Sequence, residues 1–295
     1  MAETSTKYHI ETGDYRDLAR TLTMVENELP GSQEILHDLK LTSGSIVLGI
    51  TGPPGAGKST LVNGLINRLS LDGKRVAVIA IDPTSPFNMG SLLGDRIRMT
   101  EQFNKPNVYI RSLATRGSLG GLSAKTIEMV DVLKSAGFNY ILVETVGVGQ
   151  SEVEIVGLAD VTIVVLVPES GDEIQSIKSG LMEIADIFVV NKADREGAPA
   201  FANNLRKLVH QKDIPVPVMM TVAHKAEGID ELLTAINKCT PPENSRRPYL
   251  LAEKAWRLIQ KRRMDNIDKK KLQQDIAEAS KRVDFNLYKF VDELV

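Results

Sequence analysis

The 295-residue chain sets 36 Lys and Arg against 38 Asp and Glu, a formal net charge of -2, with 42% hydrophobic and 25% charged residues. That balance describes an ordinary globular protein with enough chain for a substantial core, and it argues against a dominant nucleic-acid surface. The single cysteine, Cys239, admits neither an internal disulfide nor a thiolate metal site, no apolar run reaches membrane-spanning length, and Met1 to Asp14 lacks a secretory apolar core, so a cytoplasmic location without membrane or nucleic-acid partners is expected.

Between Asp14 and Leu41 the apolar residues Leu18, Leu22, Val25 and Leu29, then Ile35, Leu36 and Leu39, recur at helical spacing around a break at Pro30-Gly31. This predicts two short helices, an extension over residues 1–43 that covers one edge of a sheet. A first strand follows from Ile46. It runs into Gly52-Pro53-Pro54-Gly55-Ala56-Gly57-Lys58-Ser59-Thr60 and then a helical stretch from Thr60 to Leu71. In that context GxxxxGKS is a phosphate-binding loop: glycines let the backbone wrap an anion at a helix N-terminus, Lys58 reaches the β- and γ-phosphates, and the Ser59 hydroxyl holds Mg²⁺. The bare pattern arises by chance in roughly one chain in a hundred at average residue usage, so the flanking strand and helix matter to the assignment.

Further strands are predicted at Arg75 to Ile81, Val108 to Leu113, Tyr140 to Val143, Val161 to Val167, Ile187 to Val190 and Val216 to Thr221. They alternate with helices at Ser123–Ala136, Asp172–Ala185, Ala200–Gln211 and Gly228–Lys238. Such alternation predicts an α/β fold with a doubly wound, mostly parallel sheet over residues 44–240, whose ligands bind beyond the carboxyl ends of the strands. Thr240-Pro241-Pro242 closes it, and 241–295 reads as a helical extension with an apolar stripe, Leu250, Leu251, Ala255, Leu258 and Ile259, then Leu272, Ile276, Ala279, Val283 and Leu287. Periodicity leaves open whether this stripe folds back on the α/β domain or pairs with a second copy. The basic runs Lys261-Arg262-Arg263 and Lys269-Lys270-Lys271 read as a solvated face.

The base is addressed by Asn191-Lys192-Ala193-Asp194, directly after a buried strand. The Asp194 carboxylate suits two donors on guanine, the Lys192 stem suits the base plane, and Asn191 is expected to tie this loop to the phosphate loop. A site built on such bonds rejects adenine because its own groups would be left unpaired, so GTP and GDP are the expected ligands. The third element is Ile141-Leu142-Val143-Glu144-Thr145-Val146-Gly147, an apolar strand delivering an acid to its end with a glycine three positions on. Glu144 is expected to act on Mg²⁺ and the Gly147 amide to sense the γ-phosphate. No Gln follows Gly147 directly, and Gln150 is the nearest substitute, so slow intrinsic turnover is expected. From spacing alone Asp82 reads as a carboxylate at a strand end, Asp95 as a solvated loop carboxylate and Arg98 as a surface residue, and His9, His37, His210 and His224 show no metal-ligand spacing.

The phosphate loop, together with DPTSPF (Asp82 to Phe87), GDRIRM (Gly94 to Met99), VETVGVGQSE (Val143 to Glu152), GDEIQSIKSG (Gly171 to Gly180) and ADIFVVNKAD (Ala185 to Asp194), resembles the MeaB/ArgK family. These are G-protein chaperones of adenosylcobalamin-dependent methylmalonyl-CoA mutase, related to the methylmalonic aciduria type A protein. The likeness is close over Leu41 to Leu233. It implies that Asp82, Asp95 and Glu144 join the Mg²⁺ and switch machinery with Arg98 near the phosphates, and that Gly147 to Glu152 is a switch loop. It further implies that Glu169 to Lys178 is an additional switch reporting to the mutase through Lys178, and that the chain is a homodimer held partly by the C-terminal arm. Cobalamin belongs to the partner. One departure is Val222-Ala223, where the family usually has Ser-Ala; the Ala223 amide still suits the guanine oxygen, but a bracing serine hydroxyl is missing. The rival functions are a kinase of a transport protein, for which no substrate domain is visible, and a nickel-insertion GTPase, for which Cys or His clusters are lacking.

Overall fold

The computed structural model describes residues 15–41, 44–82, 99–114, 124–145, 155–171, 179–209, 216–239, 247–264, 266–282, 285–292 and 294. The chain divides into two compact units, Met1–Arg247 and Pro248–Val295.

In the first unit, α1 (Tyr15–Glu26) and α2 (Ser32–Asp38) precede β1 (Ile46–Thr51), α3 (Lys58–Leu71), β2 (Val76–Asp82), β3 (Val108–Ala114), α4 (Ala124–Ser135) and β4 (Tyr140–Glu144). Then come β5 (Val161–Leu166), α5 (Ser179–Ile184), β6 (Ile187–Asn191), α6 (Ala198–Val209), β7 (Val218–Thr221) and α7 (Ile229–Cys239). The seven strands form one sheet in the order β3-β2-β4-β1-β5-β6-β7, and every pairing is parallel. The doubly wound α/β expectation therefore holds, with no antiparallel strand in the described sheet.

Strand sequences this apolar on both faces need cover on both faces. On one face Leu48, Ile50, Leu142, Ile163, Val165 and Val189 pack with Leu61, Leu65 and Ile66 of α3 and with Leu232 and Ile236 of α7. On the other, Val47, Ile79, Ile141 and Val143 pack with Leu18, Leu22 and Val25 of α1 and with Met129 and Leu133 of α4. Phe188 and Val190 of β6 pack with Phe201 and Leu205 of α6. The N-terminal helices break at Pro30-Gly31 as the sequence indicates, but Leu29 is 43% exposed because it falls in the turn between them. An ion pair between Arg111 of β3 and Glu26 of α1 at 2.5 Å, each side chain 16% exposed, reinforces the seating of α1.

Predicted boundaries shift by one to two residues where caps decide them. Helix α3 starts at Lys58, two residues earlier than expected, because Gly57 adopts a left-handed φ of 87° and the helix continues directly from it. Strand β7 starts at Val218, since Val216 and Pro217 lie before its ladder and a proline lacks the N–H a ladder uses. Of the predicted helix Asp172–Ala185, residues 172–178 lie outside the described residues. Cys239 is half-buried at the end of α7, and burial pushes its thiol above the ordinary value.

The second unit is helical: α8 (Arg247–Met264), α9 (Lys269–Ala279) and α10 (Leu287–Asp292). Asp268 caps α9 by accepting from the amides of Lys270 and Lys271 at 2.7 and 3.2 Å. Trp256 is 60% exposed, and Leu251, Ile259 and Leu287 are also exposed. Among the described residues no helix is long and apolar enough to cross a membrane.

Candidate functional site

The carboxyl ends of β1, β4, β6 and β7 meet where strand order reverses around β1, the position at which open parallel sheets bind ligands. The loop from Gly52 to Gly57 rises from β1 into α3. Gly52 has φ 138°, and a Cβ there would stand 2.1 Å from the Val165 carbonyl oxygen of the neighbouring strand. At Gly57, φ is 87° and a Cβ would stand 2.3 Å from Asn191 Nδ2. Both positions therefore exclude any side chain, on conformation and on space. Pro54, Gly55 and Thr60 are exposed, Pro53 and Ser59 half-buried, and Ala56 fully buried.

Lys58, 7% exposed, turns back across the loop and donates from Nζ to the carbonyls of Gly52 at 2.8 Å and Pro53 at 3.0 Å. Its ammonium thus lies along the loop that would wrap a phosphate chain. Ser59 Oγ donates to Glu144 Oε1 at 2.6 Å, joining the first turn of α3 to the end of β4. A hydroxyl and a carboxylate oxygen at that separation form a hard-oxygen donor pair at the head of the phosphate loop, which fits Mg²⁺. Asp82 ends β2, two residues past Ala80, whose register partner is Glu144. Asp95, Arg98, Gly147, Gln150 and Lys178 lie outside the described residues.

Asn191, 2% exposed at the end of β6, joins three loops. Its Nδ2 donates to the Ala56 carbonyl at 2.9 Å, and its Oδ1 accepts from Thr221 Oγ1 at 3.1 Å and from the Ala223 amide at 3.2 Å. Lys192 takes a left-handed φ of 56° and its Nζ donates to the Gly55 carbonyl at 2.8 Å, so its stem crosses above the phosphate loop. Asp194 is exposed, in a turn held by the Ala193 amide donating to the Thr221 carbonyl at 3.0 Å. The Ala223 amide, expected to face a base oxygen, here serves Asn191. At the Val222-Ala223 departure the Val222 amide donates to the Glu227 carbonyl at 3.1 Å, and the neighbouring hydroxyl is that of Thr221, which donates to Asn191 Oδ1.

Arg195 pairs with Glu169, the first residue of the segment expected to be an additional switch. The hydrogen bond from Arg195 holds the Glu169 carboxyl below its ordinary value. Sequence reasoning passed over Thr221, Thr51 and Thr145. The signal was faint, since a β-branched hydroxyl residue at a strand end is common; position in the same tier as Asn191 and Glu144 sets these three apart.

A family model described as "Methylmalonyl Co-A mutase-associated GTPase MeaB" matches residues 18–277. A Pyrococcus abyssi protein named as a GTPase is 49% identical over 266 residues, covering 86% of this chain and 78% of that one. The mouse methylmalonic aciduria type A homolog is 37% identical over 225 residues, covering 74% of this chain and 54% of that one. Among solved structures, one described as a LAO/AO transport system kinase superposes with a TM-score of 0.68 at 25% identity, covering 97% of this chain and 93% of that one.

Proposed function

The chain belongs to the MeaB family of methylmalonyl-CoA mutase-associated GTPases, it binds GTP and GDP and hydrolyses GTP, and from that premise we propose that it is a nucleotide-driven chaperone of an adenosylcobalamin-dependent acyl-CoA mutase. In this reading it gates loading of the mutase with its cofactor and protects the loaded enzyme. The observation that carries the nucleotide chemistry is the Ser59–Glu144 bond, because it ties the phosphate loop to the strand that leads into the expected switch at 147–152.

Lys58 would exchange its two loop carbonyls for β- and γ-phosphate oxygens, and the amides from Gly55 to Thr60 would hold the rest of the phosphate chain. Ser59 and Glu144, joined by Asp82 and Asp95, would hold Mg²⁺, with Glu144 acting through a coordinated water. When bound, that ion neutralises charge developing on the transferred phosphoryl group. Asp194 would accept from the guanine ring N–H and amine, and Lys192 would cover the base. With no Gln after Gly147, intrinsic turnover is slow and a partner accelerates it. Residues 241–295 serve as a dimerisation arm, and the protein works in the cytoplasm.

The test is retention of a purified adenosylcobalamin mutase on the immobilised full chain loaded with GDP or with a non-hydrolysable GTP analogue. Nucleotide-dependent retention is expected; no retention in either state refutes the mutase reading. The solved structure described as a transport system kinase favours a second reading, phosphoryl transfer to a transport protein. Labelled γ-phosphate recovered on a protein acceptor, rather than as free phosphate, would establish it.

A further inference from the structure

Glu144 stands at the last rung of β4, paired in register with Ile50, and the Thr145 amide adds one more bond to the Ile50 carbonyl at 3.0 Å. Alternation along a strand then places Glu144 with Leu142 on the α3 face, and Thr145 with Ile141 and Val143 on the opposite face. Thr51, the last residue of β1 before the phosphate loop, falls beside Thr145 on that opposite face. Their hydroxyls meet: Thr145 Oγ1 donates to Thr51 Oγ1 at 2.9 Å, with Thr51 0% and Thr145 1% exposed.

A buried hydroxyl pair on the face that carries Ile141 and Val143 needs a reason, because two valines of the same shape would avoid burying polar atoms. The reason lies in what the pair joins. Thr51 is adjacent to Gly52, where the phosphate loop begins, and Thr145 is adjacent to Glu144. On the α3 face, Ser59 and Glu144 are joined across the same two chain segments at 2.6 Å. The loop and the strand end are therefore bonded on both faces of the sheet, once through Ser59 and Glu144 and once through the threonines. The threonine contact is directional, unlike a valine contact, and it sets how far the β4 end twists relative to β1 as the carboxylate is presented.

We propose that Thr51 and Thr145 are positioning residues for the metal-bearing carboxylate: their buried hydroxyl pair locks the end of β4 to the start of the phosphate loop and so sets Glu144 against Ser59. The inference rests on the reading that Ser59 and Glu144 hold Mg²⁺, Glu144 through a coordinated water. It assigns no direct contact with nucleotide or metal to either threonine.

The test measures GTP hydrolysis by the full chain as a function of Mg²⁺ concentration, beside GDP affinity in EDTA, for wild type, Ser59→Ala, Thr145→Val, Thr145→Ser and the double variant Thr51→Val/Thr145→Val. Loss of a group hydrogen-bonded to a ligating side chain costs about tenfold or more in metal affinity, and the threonines act one step further out. Thr145→Val is therefore expected to need about threefold more Mg²⁺ for half-maximal rate, with EDTA-state GDP affinity unchanged and the serine variant restored to wild type. Should the single valine variant fail to fold because Thr51 is left unpaired, the double variant, with no orphaned hydroxyl, shows the same raised requirement. A wild-type Mg²⁺ requirement in the valine variants, while Ser59→Ala raises it, overturns the inference and leaves the metal reading standing. An equal loss of GDP affinity in EDTA overturns it too, as a sign of general loosening. If Ser59→Ala itself leaves the requirement unchanged, the metal reading falls and takes the inference with it.

Discussion

Replacing Asn191 by alanine should destabilise the protein before any nucleotide is added. Three hydrogen bonds end on this one side chain, to the Ala56 carbonyl, the Thr221 hydroxyl and the Ala223 amide, and the side chain is 2% exposed. At about 1 kcal/mol net for each, the loss comes to about 3 kcal/mol, a large part of the roughly 5–15 kcal/mol that holds a typical domain together. With a urea slope of about 3 kcal/mol per molar, the unfolding midpoint should fall by about 1 M. Circular dichroism in EDTA, without nucleotide, is the assay of choice, since the single tryptophan, Trp256, lies in the second unit rather than in the α/β unit. The exposed Asp194→Ala variant serves as the reference: it should lose guanine affinity while keeping its midpoint. An Asn191→Ala midpoint within about 0.2 M of wild type would show that the three loops are held together by something else, and the joint drawn here between base loop and phosphate loop would be refuted.

Substituting Gly52 by alanine sets a Cβ against the Val165 carbonyl at φ 138°, so expression as folded protein should fall sharply; a wild-type melting curve would contradict the geometry. Lys58→Ala should abolish tight nucleotide binding, and calorimetry showing GTP affinity within about threefold of wild type would count against its assigned role. Asp194→Asn should shift preference from guanosine toward xanthosine nucleotides by exchanging acceptors for donors, which competition binding would read; an unaltered preference refutes the assignment. Arg195 holds the Glu169 carboxyl below its ordinary value of 4.5. Because the folded-state value is the lower one, the pair's contribution is present above the unfolded pKa and lost as pH falls through the folded one. Arg195→Ala should therefore bring the Glu169 carboxyl titration, followed by NMR, back up toward 4.5, and an unmoved titration would dissolve the pair.

The phosphate loop, the base loop and the alternation of strands and helices were legible in the chain itself, because each is encoded in contiguous residues. A loop that wraps a phosphate with its own backbone needs glycines at set spacings, and a strand covered on both faces needs an unbroken apolar run, so pattern and physics coincide locally. The bonds that assemble these pieces follow no such local rule. Ser59 and Glu144 are 85 positions apart, Thr51 and Thr145 are 94, and Ala56 and Asn191 are 135. Parallel pairing sets β4 beside β1 and β6 one strand further on, past β5, and strand register then decides which side chains meet. The use of the Ala223 amide illustrates the limit: its position after β7 was read from the sequence, but its engagement by Asn191 depends on how β6 and β7 align, Asn191 against Thr221. Residue chemistry thus determined what this protein can bind, and the stacking of strand ends in one tier decided which groups hold one another in place to bind it.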